Sequence, residues 1–171
     1  MRGHELIGKA AETATGVVRG IAPGQLDRPT PCAEFSVGGL LGHLGGTVPY
    51  MTGLAGAAPA EGDLESKITQ LRAAWSDPEA WAGEIELGGQ RMPATMVGGM
   101  AVTELVVHGW DLATATGQSP EWDPEVLTFV HDAVAGTADL GRRMGAYGDR
   151  VEVPATASTL DRILGLTGRR P

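Results

Sequence analysis

Two histidines and one glutamate are the residues whose types and spacing could hold a metal ion in this chain. His43 lies among leucines in LLGHLGG, and Glu104 and His108 lie four residues apart in TELVVHGWDLATATG. Side chains four residues apart share one face of a helix, where His43 could meet them from a facing helix. Two imidazoles and a carboxylate leave an open position at a divalent ion. Zinc accepts this ligand set, and nickel, cobalt and iron(II) also fit these ligand types.

The alternative interpretation is that these histidines are structural and are satisfied by hydrogen bonds in a metal-free bundle. Asp111 follows His108 by three residues and therefore lies near the same face. Asp111 could accept a hydrogen bond from a ligand imidazole and fix its tautomer. A bond from Asp111 to a neighbouring connection or helix is an equally supported alternative.

The single cysteine, Cys32, lies in a connector held by prolines, LDRPTPCAEF. It is followed by Glu34 and has no basic neighbour in sequence, so nothing local lowers the pKa of its thiol. We therefore interpret Cys32 as a buried or half-buried small residue. Thr30 is predicted to tie down the same connector.

Helices must position the candidate ligands. Apolar residues at intervals of three and four predict helices over 4–21, 37–51, 64–75, 97–116, 124–141 and 160–166. Ser36 is the predicted N-cap of the second helix, and Gly117 the residue that ends the fourth. A hairpin is predicted around Gly88-Gly89, and an extended piece over 150–153. The pattern indicates one mainly all-α domain over 1–171, a bundle of four main helices with irregular connections and a short extended and helical C-terminal tail.

Glycines are concentrated around His43, at positions 38, 39, 42, 45 and 46. Each weakens a helix by up to about 1 kcal/mol relative to alanine, so this helix must depend on tertiary packing. We expect the glycines to let neighbouring helices approach closely.

Composition excludes several classes of function. The 171 residues carry a formal net charge of −8 and 5% aromatic residues, which argues against a nucleic-acid-binding surface. No apolar run approaches the roughly 20 residues that span a bilayer, so no membrane association is expected. One cysteine allows no internal disulfide framework, and a reducing cytoplasm is the predicted location.

Three blocks of the sequence resemble one family. PTPCAEFSVGGLLGHLGG resembles the motif PTPC-x-x-W-T-V-x-x-L-x-x-H-L of the DinB-like proteins related to the mycothiol-dependent maleylpyruvate isomerase N-terminal domain. ELVVHGWDLATATGQ is similar to that family's E-x-x-x-H-x-W-D-L-A-x-A-T-G, and YGDRVEVPATASTLDRILGLTGRRP to its F-G-x-x-V-x-V-P…A-x-x-x-D-R-L-L-x-x-x-G-R-x-P ending. The blocks keep their order over about 29–171, with Phe35 in place of the usual tryptophan.

The resemblance implies a DinB-type four-helix bundle that binds a divalent metal through His43, Glu104 and His108. Related bundles use the metal to bind the thiolate of a low-molecular-weight thiol such as mycothiol and transfer it to a small electrophile. A thiol-dependent S-transferase or related detoxification enzyme is therefore expected. Maleylpyruvate isomerisation itself is not, because that enzyme has a further C-terminal domain and this chain stops after one bundle and a tail. The alternatives are a metal–water hydrolase and a non-catalytic, metal-stabilised binding or regulatory module, the latter compatible with a homodimer.

Overall fold

The computed structural model describes residues 3–171 and is mainly helical, which confirms the predicted class. Residues 1 and 2 of the predicted domain lie outside the described residues. A two-stranded antiparallel hairpin interrupts the helices, and its turn is formed by Gly88 and Gly89 as predicted. The elements are α1 (Gly3–Arg19), α2 (Val37–Leu54), α3 (Leu64–Trp75), β1 (Glu84–Leu87), β2 (Gln90–Pro93), α4 (Ala94–Thr116), α5 (Pro124–Arg143) and α6 (Thr159–Leu166).

Helix α4 is the centre of the bundle. It contacts α1, α2 and α5, and 16 of its 23 residues are buried. A helix that is apolar on nearly all sides must lie inside the molecule. It ends at Gly117, which has the left-handed φ of 76° that the predicted C-terminal glycine requires. Besides α1 to α4, a fifth long helix, α5, packs on α4 and α1, and α6 packs on α5.

Helix α2 carries His43 and contains a proline in its interior. The Ser36 side chain accepts a hydrogen bond from the Gly39 N–H, as predicted for the N-cap. The helix then continues through Pro49 to Leu54. Because proline has no N–H, Pro49 leaves the carbonyl of Gly45 without its helical partner. Lys67 of α3 donates to that carbonyl at 2.9 Å, so α3 completes the hydrogen bonding of α2.

The expectation that glycines around His43 allow close helix packing is wrong for Gly42 and Gly46. A Cβ atom on either would meet nothing within 4 Å. Close approach occurs on α4 instead, where a Cβ on Gly98 would lie 2.5 Å from the ring of Trp81, and one on Gly109 2.9 Å from the ring of Trp122. The reason is that aromatic side chains from the connections, and not neighbouring backbones, fill the space beside the helix.

The connections on either side of the site are tied down by hydrogen bonds. The Thr30 hydroxyl lies 2.9 Å from the carbonyl oxygen of Cys32 and 2.8 Å from that of Phe35, which orders the connector as predicted. In the tail, residues 150–153 form no strand; instead the Val151 N–H donates to the Gly165 carbonyl at 2.9 Å and holds the tail to α6. Within residues 3–171, no helix has both the length and the apolar composition that a membrane span requires.

Candidate metal centre

Helices α2 and α4 bring the three predicted ligands together. His43 lies on α2, and Glu104 and His108 lie one turn apart on α4. Oε2 of Glu104 lies 3.5 Å from Nε2 of His43 and 3.5 Å from Nε2 of His108. One donor atom from each of the three side chains falls within 4.8 Å of the others. The two histidine rings therefore both face the same oxygen atom of Glu104.

The spacing around Glu104 suits an ion better than a hydrogen bond. Oε2 is buried and has no hydrogen-bond partner, and 3.5 Å exceeds the about 2.8 Å of a charge-assisted hydrogen bond. Ligand atoms at about 2.1 Å from a tetrahedral ion are about 3.4 Å from one another. The donor set of two imidazoles and one carboxylate thus fits a divalent metal with an open position.

The charges at the site are mutually stabilising. Burial alone would raise the pKa of Glu104, but His43, His108 and the guanidinium of Arg169 outweigh it and lower that pKa. The Glu104 carboxylate in turn raises the pKa of His43, against the opposing effect of burial. Glu104 is therefore ionised and is stabilised by nearby positive charge. A divalent cation bound at this position would supply the same stabilisation without protonating a histidine.

Asp111 accepts a hydrogen bond from the other side of the His108 ring. Its Oδ2 lies 3.0 Å from Nδ1 of His108, and the side chain is fully buried. An ionised carboxylate is only an acceptor, so we assign a proton to Nδ1, and Nε2 is then the nitrogen that would bind a metal on the Glu104 side. Both alternatives for Asp111 are present, because its carboxylate also accepts hydrogen bonds from Arg169 of the C-terminal tail.

Arg169 is a residue of the site that sequence reasoning missed. It lies in the C-terminal tail and is 6% exposed. Its guanidinium donates two hydrogen bonds to the Asp111 carboxylate, from Nη2 to Oδ2 at 2.9 Å and from Nε to Oδ1 at 3.3 Å. Its Nη1 donates to the Thr167 carbonyl at 2.9 Å. The G-R-x-P ending of the third sequence block was the available signal, although no spacing connects it to Asp111.

Cys32 also lies beside the site, which its sequence context did not indicate. Its Sγ falls within 4.8 Å of donor atoms of His108 and Asp111. Burial raises the pKa of the thiol, and the nearby Arg169 opposes this without reversing it. Cys32 is partly buried, in agreement with the interpretation as an unactivated small residue.

The site is open on the side of His43 and Glu104. Their side chains are 32% and 28% exposed, whereas His108 is 11% exposed. The ring of Phe35 lies 5.1 Å from that of His43 and forms one wall. A small molecule can therefore approach the open position from the α2 side, and the buried Asp111 and Arg169 close the opposite side.

Comparison with known proteins places the chain beside one family. Residues 7–67 match the mycothiol maleylpyruvate isomerase N-terminal domain, which confirms the resemblance for this segment. Two uncharacterized proteins from two strains of Mycobacterium tuberculosis are each 27% identical over 173 residues, 94% of this chain and 94% of the relative. No solved structure matches the chain. The matched segment contains His43 but neither Glu104 nor His108, so the complete donor set rests on the geometry above.

Proposed function

We propose, on the premise that residues 7–67 match the mycothiol maleylpyruvate isomerase N-terminal domain, that this protein is a divalent-metal-dependent thiol S-transferase. The observation that supports it best is the buried Oε2 of Glu104, which has no hydrogen-bond partner and lies 3.5 Å from Nε2 of both histidines. Zinc is the preferred ion because it accepts imidazole and carboxylate ligands in a tetrahedral site with one position open.

Each residue of the site has a distinct task. His43, Glu104 and His108 hold the ion, Asp111 sets the tautomer of His108, and Arg169 orients Asp111. The bound ion supplies Lewis acidity, which lowers the pKa of a substrate thiol. Since His43 and Glu104 are partly exposed, the thiol approaches from their side.

The reaction forms one bond to sulfur and breaks one bond in the electrophile. The substrate thiol loses its proton to solvent, its sulfur bonds to the electrophilic carbon, and the leaving group departs with the electron pair of its bond. Because burial raises the pKa of Cys32, this chain offers no activated thiol of its own. The sulfur that is transferred is therefore that of a low-molecular-weight substrate such as mycothiol.

Metal content tests the ligand assignment. Protein purified without a polyhistidine tag and loaded with zinc is expected to retain about one equivalent per chain by elemental analysis. His43→Ala and His108→Ala are each expected to lose it. His131→Ala is the matched control, because His131 lies on α5 beside Asp132 and outside this donor set. Zinc retained by both ligand variants would refute the site.

Conjugation of mycothiol to monochlorobimane tests the activity. Fluorescent conjugate is expected to form with zinc-loaded protein and not with metal-free protein. Cys32→Ser is expected to keep the activity, since the transferred sulfur comes from the substrate. A stoichiometric zinc site without zinc-dependent conjugation over a broad panel of electrophiles would refute the transferase and favour the non-catalytic, metal-stabilised module.

A further inference from the structure

A largely apolar cavity of about 270 Å³ lies between α4 and α5. No part of the site described above uses it. Its wall consists mainly of methionine, aromatic and small side chains. They are Met96, Met100, Thr103, Phe129, Ala133 and Tyr147.

The cavity adjoins the candidate metal centre along α4. Met100 lies four residues before Glu104, about 6 Å along the axis, and residues so spaced are neighbours on a helix surface. Thr103, which also lines the cavity, directly precedes Glu104 in the chain. Tyr147 lines the cavity, and the Glu104 carboxylate is close enough to contribute to raising the pKa of its phenol, second to burial.

We propose that this cavity binds the apolar body of the electrophile, an uncharged molecule with a small aromatic or alkyl group whose reactive carbon points toward Glu104. The assignment rests on the proposed function, because it supplies the second substrate of the same transfer. It makes the site a two-substrate site in which the thiol enters beside His43 and the electrophile lies along Met100.

Charge supports an uncharged occupant. Asp132 is part of the wall, and none of the described residues that line the cavity is basic. A carboxylate placed there would meet a like charge and have no cationic partner, which disfavours dicarboxylates. Three threonines, Thr95, Thr103 and Thr137, contribute hydroxyls to the otherwise mainly apolar wall. The Tyr147 hydroxyl is protonated at neutral pH, and burial raises its pKa further. It is a donor suited to a carbonyl or halogen next to the reactive carbon.

Binding of 1-naphthol, which is uncharged and unreactive, tests the cavity without any transfer. In protein labelled at the methionine methyl groups, we expect the NMR signals of Met96 and Met100 to move on titration. The signal of Met144, which is 72% exposed, should stay in place. Met96→Leu and Met100→Leu assign the signals, and 1-naphthoate is expected to bind at least 10-fold more weakly because of its charge. Shifts that spare Met96 and Met100, or equal affinity for naphthoate, would overturn the proposal.

Gly136 allows the cavity to be filled without disturbing the backbone. It lines the cavity, lies on α5, and a Cβ there meets nothing within 4 Å. Gly136→Leu is expected to weaken naphthol binding at least 10-fold, whereas Gly136→Ala leaves the cavity open. Gly16→Leu is a control for a leucine added at an exposed position of α1, where a Cβ also meets nothing within 4 Å. Unchanged binding by Gly136→Leu would refute the cavity as the site.

The two proposals fail in different ways. Naphthol binding at Met96 and Met100 without zinc-dependent conjugation would support the cavity and refute the transferase. If Gly136→Leu leaves the conjugation of apolar electrophiles unchanged, the transferase would be supported and the cavity would be refuted as the electrophile site. The binding measurement is made on metal-free and on zinc-loaded protein, so loss of the metal alone does not decide it.

Discussion

His108 lies between two carboxylates that differ in their surroundings. Glu104 faces Nε2 from 3.5 Å with a side chain that is 28% exposed, whereas Asp111 faces Nδ1 from 3.0 Å and is fully buried. Arg169 supplies the positive charge that a buried aspartate needs. The ring is thus oriented from its inner side, and its outer nitrogen is left for a ligand.

Asp111→Asn is expected to weaken zinc binding by about 10- to 100-fold, the range typical of lost partners of metal-bound histidines. Asparagine keeps the shape but removes the charge that selects the proton on Nδ1 of His108. The variant also leaves Arg169 as an unpaired buried charge and should lower the free energy of unfolding of the metal-free protein by about 3 kcal/mol. A zinc competition titration and urea denaturation measure the two effects.

Removal of both charges separates these effects. Asp111→Asn combined with Arg169→Met takes away the unpaired cation, so part of the lost stability is expected to return. Zinc affinity should stay low, because the His108 tautomer is still unselected. Recovery of wild-type zinc affinity in the double variant would contradict the positioning role of Asp111.

Helix α2 depends on α3 for a bond that its own backbone does not make. Pro49 provides no N–H to the Gly45 carbonyl, and Lys67 donates to it instead. Gly45 lies two residues from His43, so this contact holds the part of the helix that carries a candidate ligand. The same hydrogen bond links α2 to α3, which also pack against each other.

Lys67→Met is expected to lower the free energy of unfolding by about 1 kcal/mol, because methionine keeps the aliphatic chain but not the donor. In a Pro49→Ala background the restored N–H satisfies the Gly45 carbonyl, so the same substitution should cost less. Urea denaturation of the four proteins of this double-mutant cycle gives the coupling. An equal loss in both backgrounds would show that Lys67 acts through another contact.

The C-terminal tail completes the site from outside the bundle. Gly168 has a φ of 85°, and a Cβ on it would lie 2.7 Å from the Cα of Gly148. The next residue is Arg169, which reaches Asp111 across 58 positions of sequence. Close packing of two tail segments thus decides where the arginine lies, and the geometry of the candidate metal centre depends on the docked tail.

Gly168→Ala is expected to destabilise the protein by about 2 kcal/mol through the left-handed backbone and the clash. It should also lower zinc affinity by about 10-fold, although it touches no ligand, because Arg169 is displaced from Asp111. Gly83→Ala is the control, since Gly83 has a φ of 71° with nothing within 4 Å. Gly83→Ala should lower the stability without lowering the zinc affinity, as measured by thermal unfolding and zinc competition. A zinc affinity of Gly168→Ala equal to that of the wild-type protein would contradict the coupling between the tail and the site.

The order of the helices was predictable because their signals are local, and their limits differ from the predicted ones by a few residues. Apolar spacing, the Ser36 cap and the Gly117 terminator each act within a few residues, and α4 differs from the predicted 97–116 only by an earlier start at Ala94. The pairing of Glu104 with His108 is equally local, since one turn of α4 connects them. The sequence analysis also predicted that His43 meets these two residues from a facing helix.

The contacts that the connector and the C-terminal tail make with α4 could not be read in this way. Cys32, Asp111 and Arg169 come from a connector, a helix and the tail, and no spacing relates them. The expected role of Gly42 and Gly46 was wrong because a composition shows which residues are small but not which neighbours approach them. Local hydrogen bonding and hydrophobic periodicity determine the elements, whereas docking of the connector and tail onto α4 determines which side of His108 is closed and which is left for a ligand.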